Sequence, residues 1–186
     1  MRKRVLVCAL LCAAVGIGGT AATALAGASS TSKGGAIKVW VTPSKTGTTT
    51  SKHPGKVMFT GAIGDYGTSF NVTSTGKPAK KKSPYKLLKL KKGTMTVTAS
   101  ALGKALKSAK PTLNTTNCSV TVAATAPITI VKGTGAYANI SGTVTFSASY
   151  AVILPKTSSG KCTTKTSTKA LATYASFIGT GTVSFS

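Results

Sequence analysis

Thr143-Val144-Thr145-Phe146-Ser147-Ala148-Ser149-Tyr150-Ala151-Val152 alternates with a period of two. Val144, Phe146, Ala148, Tyr150 and Val152 fall on one face, and Thr143, Thr145, Ser147 and Ser149 on the other. That is the pattern of a strand with one buried side and one wet side. The alternation recurs in Ile37-Val39-Val41, in Met95-Val97-Ala99, in Cys118-Val120-Val122 and in Val183-Phe185. Further strand candidates are Lys56 to Ile63, Ser69 to Thr73, Tyr85 to Lys91, Ile128 to Val131 and Ala170 to Ile178. Between them lie breaks at His53-Pro54-Gly55, Gly76-Lys77-Pro78, Gly133-Thr134-Gly135 and Ser158-Ser159-Gly160. One stretch departs from this period. Leu102, Ala105, Leu106 and Ala109 recur at helical spacing, with Lys104, Lys107 and Lys110 opposite them and Pro111 as a stop. Many strands and one short helix predict an all-β fold, a single antiparallel β-barrel of about eight strands, with a β-sandwich as the alternative.

The start of the chain reads differently. Arg2, Lys3 and Arg4 precede an apolar run from Val5 to Val15, and Ala24-Leu25-Ala26 supplies a small-x-small cleavage signal. Residues 1–26 therefore read as a secretory signal peptide, residues 27–35 as a flexible lead-in and residues 36–186 as the single barrel domain. Gly16, Gly18, Gly19 and Thr20 interrupt the apolar run before it reaches membrane-spanning length. A secreted protein, extracellular or associated with the cell wall, is expected. Cys118 and Cys162 are the two cysteines beyond residue 26, and export predicts a disulfide between them.

Charge narrows the chemistry. The chain has one acidic residue against 24 basic ones, for a formal net charge of +23. Past residue 26 the basic residues are all lysines, and the acid is Asp65. General acid–base catalysis and metal binding draw on carboxylates and imidazoles, and here those are Asp65 and His53 alone. A zinc site would have to recruit both, together with Cys118 and Cys162. A Ser-His-Asp triad would likewise need both in one place. No metal, no cofactor and no catalytic residue is expected. The Gly-x-Gly pairs at 133–135 and 179–181 lack the further residues of a phosphate loop and read as strand turns.

Ile63-Gly64-Asp65-Tyr66-Gly67 resembles the Gly-Asp-Tyr-Gly turn of the allene oxide cyclase barrel family. The segment from Ile130 to Val144, with Lys132-Gly133-Thr134-Gly135-Ala136-Tyr137-Ala138-Asn139-Ile140-Ser141-Gly142 at its centre, resembles the glycine-rich strand-turn-strand of that family and of the dirigent proteins. The resemblance implies an eight-stranded antiparallel barrel with an apolar interior able to hold a lipid-like or phenolic molecule, assembled as a homo-oligomer. It does not imply the cyclase activity, because that family's enzyme uses a glutamate and this chain has none. Asp65 is expected to accept backbone hydrogen bonds that shape the turn formed with Gly64, Tyr66 and Gly67.

Lysine is concentrated in Lys77, Lys80, Lys81, Lys82, Lys86, Lys89, Lys91 and Lys92, with Lys104, Lys107 and Lys110 close behind. A patch of this sign attracts polyanions. Base-specific readout uses arginine forks, and single-strand binding uses stacked aromatics. The region past residue 26 has no arginine and only scattered aromatics, so no specific nucleic-acid partner is expected. The sequence reading is a secreted, non-catalytic binding protein that attaches to an anionic cell-envelope polymer or extracellular polyanion through these lysines. The alternative is a barrel that binds, or isomerises, an apolar small molecule in its interior, with Phe146 and Tyr150 among its inward positions.

Overall fold

A computed structural model describes residues 34–43, 54–79, 83–163 and 168–186. The expected signal segment and residues 27–33 of the lead-in lie outside these residues, as do His53 and Lys80, Lys81 and Lys82. The elements run β1 (Gly35–Thr42), β2 (Gly55–Gly61), β3 (Asp65–Val72), β4 (Tyr85–Leu90), β5 (Gly93–Thr98), α1 (Ser100–Ser108), β6 (Thr112–Asn114), β7 (Ser119–Gly135), β8 (Ile140–Ile153) and β9 (Ala172–Phe185).

The sheet order is β5-β4-β3-β2-β1-β9-β8-β7, and β5 pairs with β7 to close it. All these pairings are antiparallel. The fold is a closed eight-stranded barrel with one short helix, and the β5–β7 ladder rules out the sandwich. β6 is an added strand on the edge of β7 beyond the barrel wall. The alternation read in the sequence places Ile37, Val39, Val57, Phe59, Met95, Val97, Ile128, Val144 and Phe146 in one core.

Two sequence readings are corrected. Cys118, read as a strand residue with Val120 and Val122, sits in the turn before β7 with φ +57°. Val120–Val122 and Ile128–Val131 belong to a single strand, β7, which starts at Ser119, passes through Pro127 and ends at Gly135. Proline is tolerated there because residue 127 pairs with β8 only, and the ladder with β5 starts at Thr129. Its missing N–H breaks no second ladder. Likewise neither Gly-x-Gly pair is a turn: Gly179 and Gly181 lie inside β9, and Gly133 and Gly135 lie in β7, paired with Met95 and Gly93 of β5. A Cβ on Gly179 would sit 2.6 Å from the Phe146 ring, so glycine there makes room for a core aromatic.

β7, β8 and β9 are longer than the other barrel strands, and their far halves form an extension past the barrel end. The Cys118–Cys162 disulfide, with Cα atoms 5.3 Å apart, fastens the β8–β9 connection to the turn before β7 at the tip of that extension. α1 packs mainly against β7, inserting Leu102 into the core. Its sequence explains its limits. It starts after Ala99 without a side-chain cap and stops where Ala109 becomes extended ahead of Lys110 and Pro111.

Candidate functional site

The two ends of the barrel differ in chemistry. At one end, Asp65 begins β3 on the inward face and is 6% exposed. Its Oδ1 accepts from the backbone N–H of Tyr66 at 2.7 Å and of Lys91 at 3.2 Å. Its Oδ2 accepts from the Lys92 N–H at 3.0 Å and from the Tyr137 hydroxyl at 2.5 Å. The two motifs separated by about 70 residues therefore meet: the aspartate of one binds the tyrosine of the other. Burial would raise the Asp65 pKa, but the Tyr137 hydroxyl and the three backbone donors outweigh it and hold the carboxyl below its usual range. The Tyr137 phenol is pushed above its ordinary range, first by burial and then by the adjacent carboxylate. Gly67, also of the first motif, is required by contact: a Cβ there would fall on the Lys89 carbonyl across the ladder. Every Asp65 oxygen is occupied by these donors, so this end is a structural knot.

The other end is hollow. A cavity of about 820 Å³ occupies the barrel interior, walled by Val39, Phe59, Val97, Ile128, Phe146 and Phe177. Tyr150 meets Phe177 edge-on with centroids 5.4 Å apart, and both line the same space. α1 forms part of the rim. Leu102 and Leu106 face the cavity, and Ser100, Gly103, Lys104 and Lys107, all exposed, border it, so the cavity opens to solvent beside the helix.

One wall is polar. Along the inward face of β3, Asp65 is followed by Gly67, Ser69 and Asn71, and both Ser69 and Asn71 are buried. Opposite them on β4 is Lys86, paired in register with Asn71. The Lys86 Nζ donates to Asn71 Oδ1 and to the Ser83 carbonyl at 3.1 Å. Lys86 also lines the cavity, and burial pulls its pKa below the ordinary lysine value.

The lysine cluster is thus divided. Lys77, Lys89, Lys91 and Lys92 are exposed, whereas Lys86 turns into the barrel. The parity of β4 explains it: Lys86 shares the inward face with Leu88 and Leu90, a period-two signal already present in the sequence. On the outer face Lys89 lies 5.3 Å from the Phe70 ring and Lys91 lies 5.5 Å from the Tyr66 ring. Lys77, in the connection leading into β4, and Lys92, just past its end, stand at opposite ends of that strand.

A second surface feature depends on register and is hidden in the linear sequence. Ile178 pairs with Trp40, Trp40 with Met58, and Met58 with Tyr66. Met58, Tyr66 and Ile178 are exposed and Trp40 is partly so, forming an apolar band across four strands. Lys38 lies 5.1 Å from the Trp40 ring at its flank. Among the described residues no group of His, Cys, Asp and Glu could hold a metal ion, and no helix is long and apolar enough to cross a membrane. No family model, curated protein or solved structure matches the chain.

Proposed function

We propose that this protein binds an apolar small molecule inside its barrel. The observation that carries the reading is the cavity of about 820 Å³, walled by aliphatic and aromatic side chains and open beside α1. Its size lies within the roughly 300–1,000 Å³ of small-molecule sites, and few polar groups among apolar walls is the usual composition of such sites. The role is holding the ligand, since the one aspartate is fully engaged in the knot at the far end.

The test is titration of the folded protein with the neutral fluorophore N-phenyl-1-naphthylamine. A saturable rise in emission is expected, and Leu106→Trp, which places an indole at the rim, is expected to weaken binding by about tenfold through overpacking. Equal binding by the native and Leu106→Trp proteins, or no binding at all, would sink the reading.

A second reading concerns the outer face, and the apolar band with its stacked lysines favours it. Lys38, Lys89 and Lys91 hold positive charge beside Trp40, Phe70 and Tyr66. This arrangement suits adhesion to an anionic polymer of the cell envelope, as proposed for an exported protein. Retention on such a polymer is expected to fall steeply as salt rises. Replacing Lys89 and Lys91 together with glutamine should lower the eluting salt concentration; unchanged elution would argue against this face.

A further inference from the structure

Resting on the reading of the cavity as a ligand site, the chemistry of its wall narrows the class of ligand. Lys86 is the cation held between β3 and β4 on the inner surface of the barrel. An ammonium has three donors, and two of them are met by Asn71 Oδ1 and the Ser83 carbonyl. Both partners are neutral. The chain has a single side-chain carboxylate, Asp65, and it lies six residues along β3 from Asn71, which is about 20 Å at strand rise. Asp65 is moreover saturated by its own four donors. The positive group on the polar strip of this otherwise apolar cavity therefore has no side-chain carboxylate within reach.

A buried charge is stable only when it is paired, hydrogen-bonded or neutralised. The depressed pKa of Lys86 has the direction expected of an ammonium that lacks an anion. Asn71 and Ser83 nevertheless hold the Nζ in place, so its position is fixed before any ligand arrives. The surroundings at this end have the same sign. Lys104 and Lys107 border the opening, and the first turn of α1 has no side-chain cap, with Ser100 lining the cavity. The Ala99 N–H donates to the Pro84 carbonyl at 2.8 Å, which brings the helix start beside the segment that positions Lys86. A ligand entering here passes cationic groups and then meets apolar walls.

We propose that Lys86 anchors the head group of an amphiphile: an apolar body carrying one anionic group, a carboxylate or a similar oxyanion, with the body among Val97, Ile128, Phe146 and Phe177. The anion takes the remaining Lys86 donor at the open end, and the tail points toward the Asp65 end. Binding is noncovalent, and Asn71 and Ser83 act as positioning residues for the amine. A neutral apolar molecule of the same shape enters the same cavity but leaves the ammonium uncompensated.

The experiment compares decanoate with decanol as competitors of bound N-phenyl-1-naphthylamine, at fixed salt and neutral pH. Decanoate is expected to displace the fluorophore at a concentration at least about tenfold below that of decanol, the ratio of a charge-assisted hydrogen bond. In Lys86→Met the ratio should collapse to less than about twofold, and in Lys86→Arg, which keeps the charge, it should persist. Lys56→Met, at an exposed position of β2 outside both candidate surfaces, removes one unit of overall charge and should leave the ratio intact. Equal potency of acid and alcohol in the native protein would overturn the proposal, as would a preference that survives in Lys86→Met or is lost equally in Lys56→Met. Absence of fluorophore binding in the native protein would instead overturn the cavity reading beneath it, so the two failures are distinct.

Discussion

Asp65→Ala is expected to lower the unfolding free energy by about 4 kcal/mol, the result of leaving buried donors without the charged acceptor that satisfied them. The Tyr137 hydroxyl and the backbone N–H groups of Tyr66, Lys91 and Lys92 all converge on this carboxylate. No other acidic side chain exists to replace it. Asp65→Asn should cost about half as much, since the amide retains one acceptor but turns an NH2 toward donors. Urea unfolding monitored by Trp40 emission measures both, and a loss under about 1 kcal/mol in the alanine variant would refute the knot.

The same group sets a pH dependence. The folded Asp65 pKa is held below its ordinary 3.8. The stabilisation linked to this shift is complete above the unfolded value and is lost as pH falls through the folded value. Native protein should thus weaken progressively in strong acid, below about pH 4. Asp65→Asn should lack that component, and parallel acid unfolding of the two proteins would contradict the assignment.

Reduction of the Cys118–Cys162 bond is the second large effect. The bond spans 44 residues in sequence, and the loop-entropy model gives about 4 kcal/mol for such a ring. Cys162→Ser should show the loss, because Cys118 is the buried partner and keeps its packing in that variant. The bond ties the tip of the extension rather than the barrel wall. Hydrogen exchange should therefore quicken first in β6 and in the adjoining halves of β7 and β8, before β1 to β4. Tyr150 and Phe177 line the cavity from strands that enter this extension, so ligand affinity should fall with it. Uniform exchange across the whole barrel would assign the bond a global role instead.

Much of this was legible because parity survives in single strands. The alternation of β8 names its buried face, and the same logic places α1 by its break in period. The expected turn of Gly64, Asp65, Tyr66 and Gly67 is instead the start of β3 from Asp65 onward. A carboxylate accepting backbone N–H groups could be anticipated, but two of those donors, Lys91 and Lys92, belong to the β4–β5 connection, and neither they nor Tyr137 could be. The Tyr137 contact is set by strand pairing across some 70 residues of chain, and no local pattern carries it. Pro127 hid the continuity of β7, since a proline ordinarily ends a strand and its tolerance depends on which neighbour is missing. Gly179 misled in the same manner. Its lack of a side chain serves the Phe146 ring, not a bend. Lys86 is the instructive case: its parity was written beside Leu88 and Leu90, but the run of neighbouring lysines obscured it. The apolar band of Trp40, Met58, Tyr66 and Ile178 required cross-strand register, which composition does not contain.

The pairing of β1 with β9 joins the first described strand to the last. During synthesis the N-terminal strand is made early, yet its β9 neighbour is completed only when residue 185 has been added. Until then the β1 edge, with Ile37, Val39 and Val41, presents open backbone groups and an apolar face to any other chain at hand. Folding of this barrel is consequently a late, whole-chain event governed by distant contacts. A truncation that removes β9 should yield an aggregating product rather than a smaller barrel.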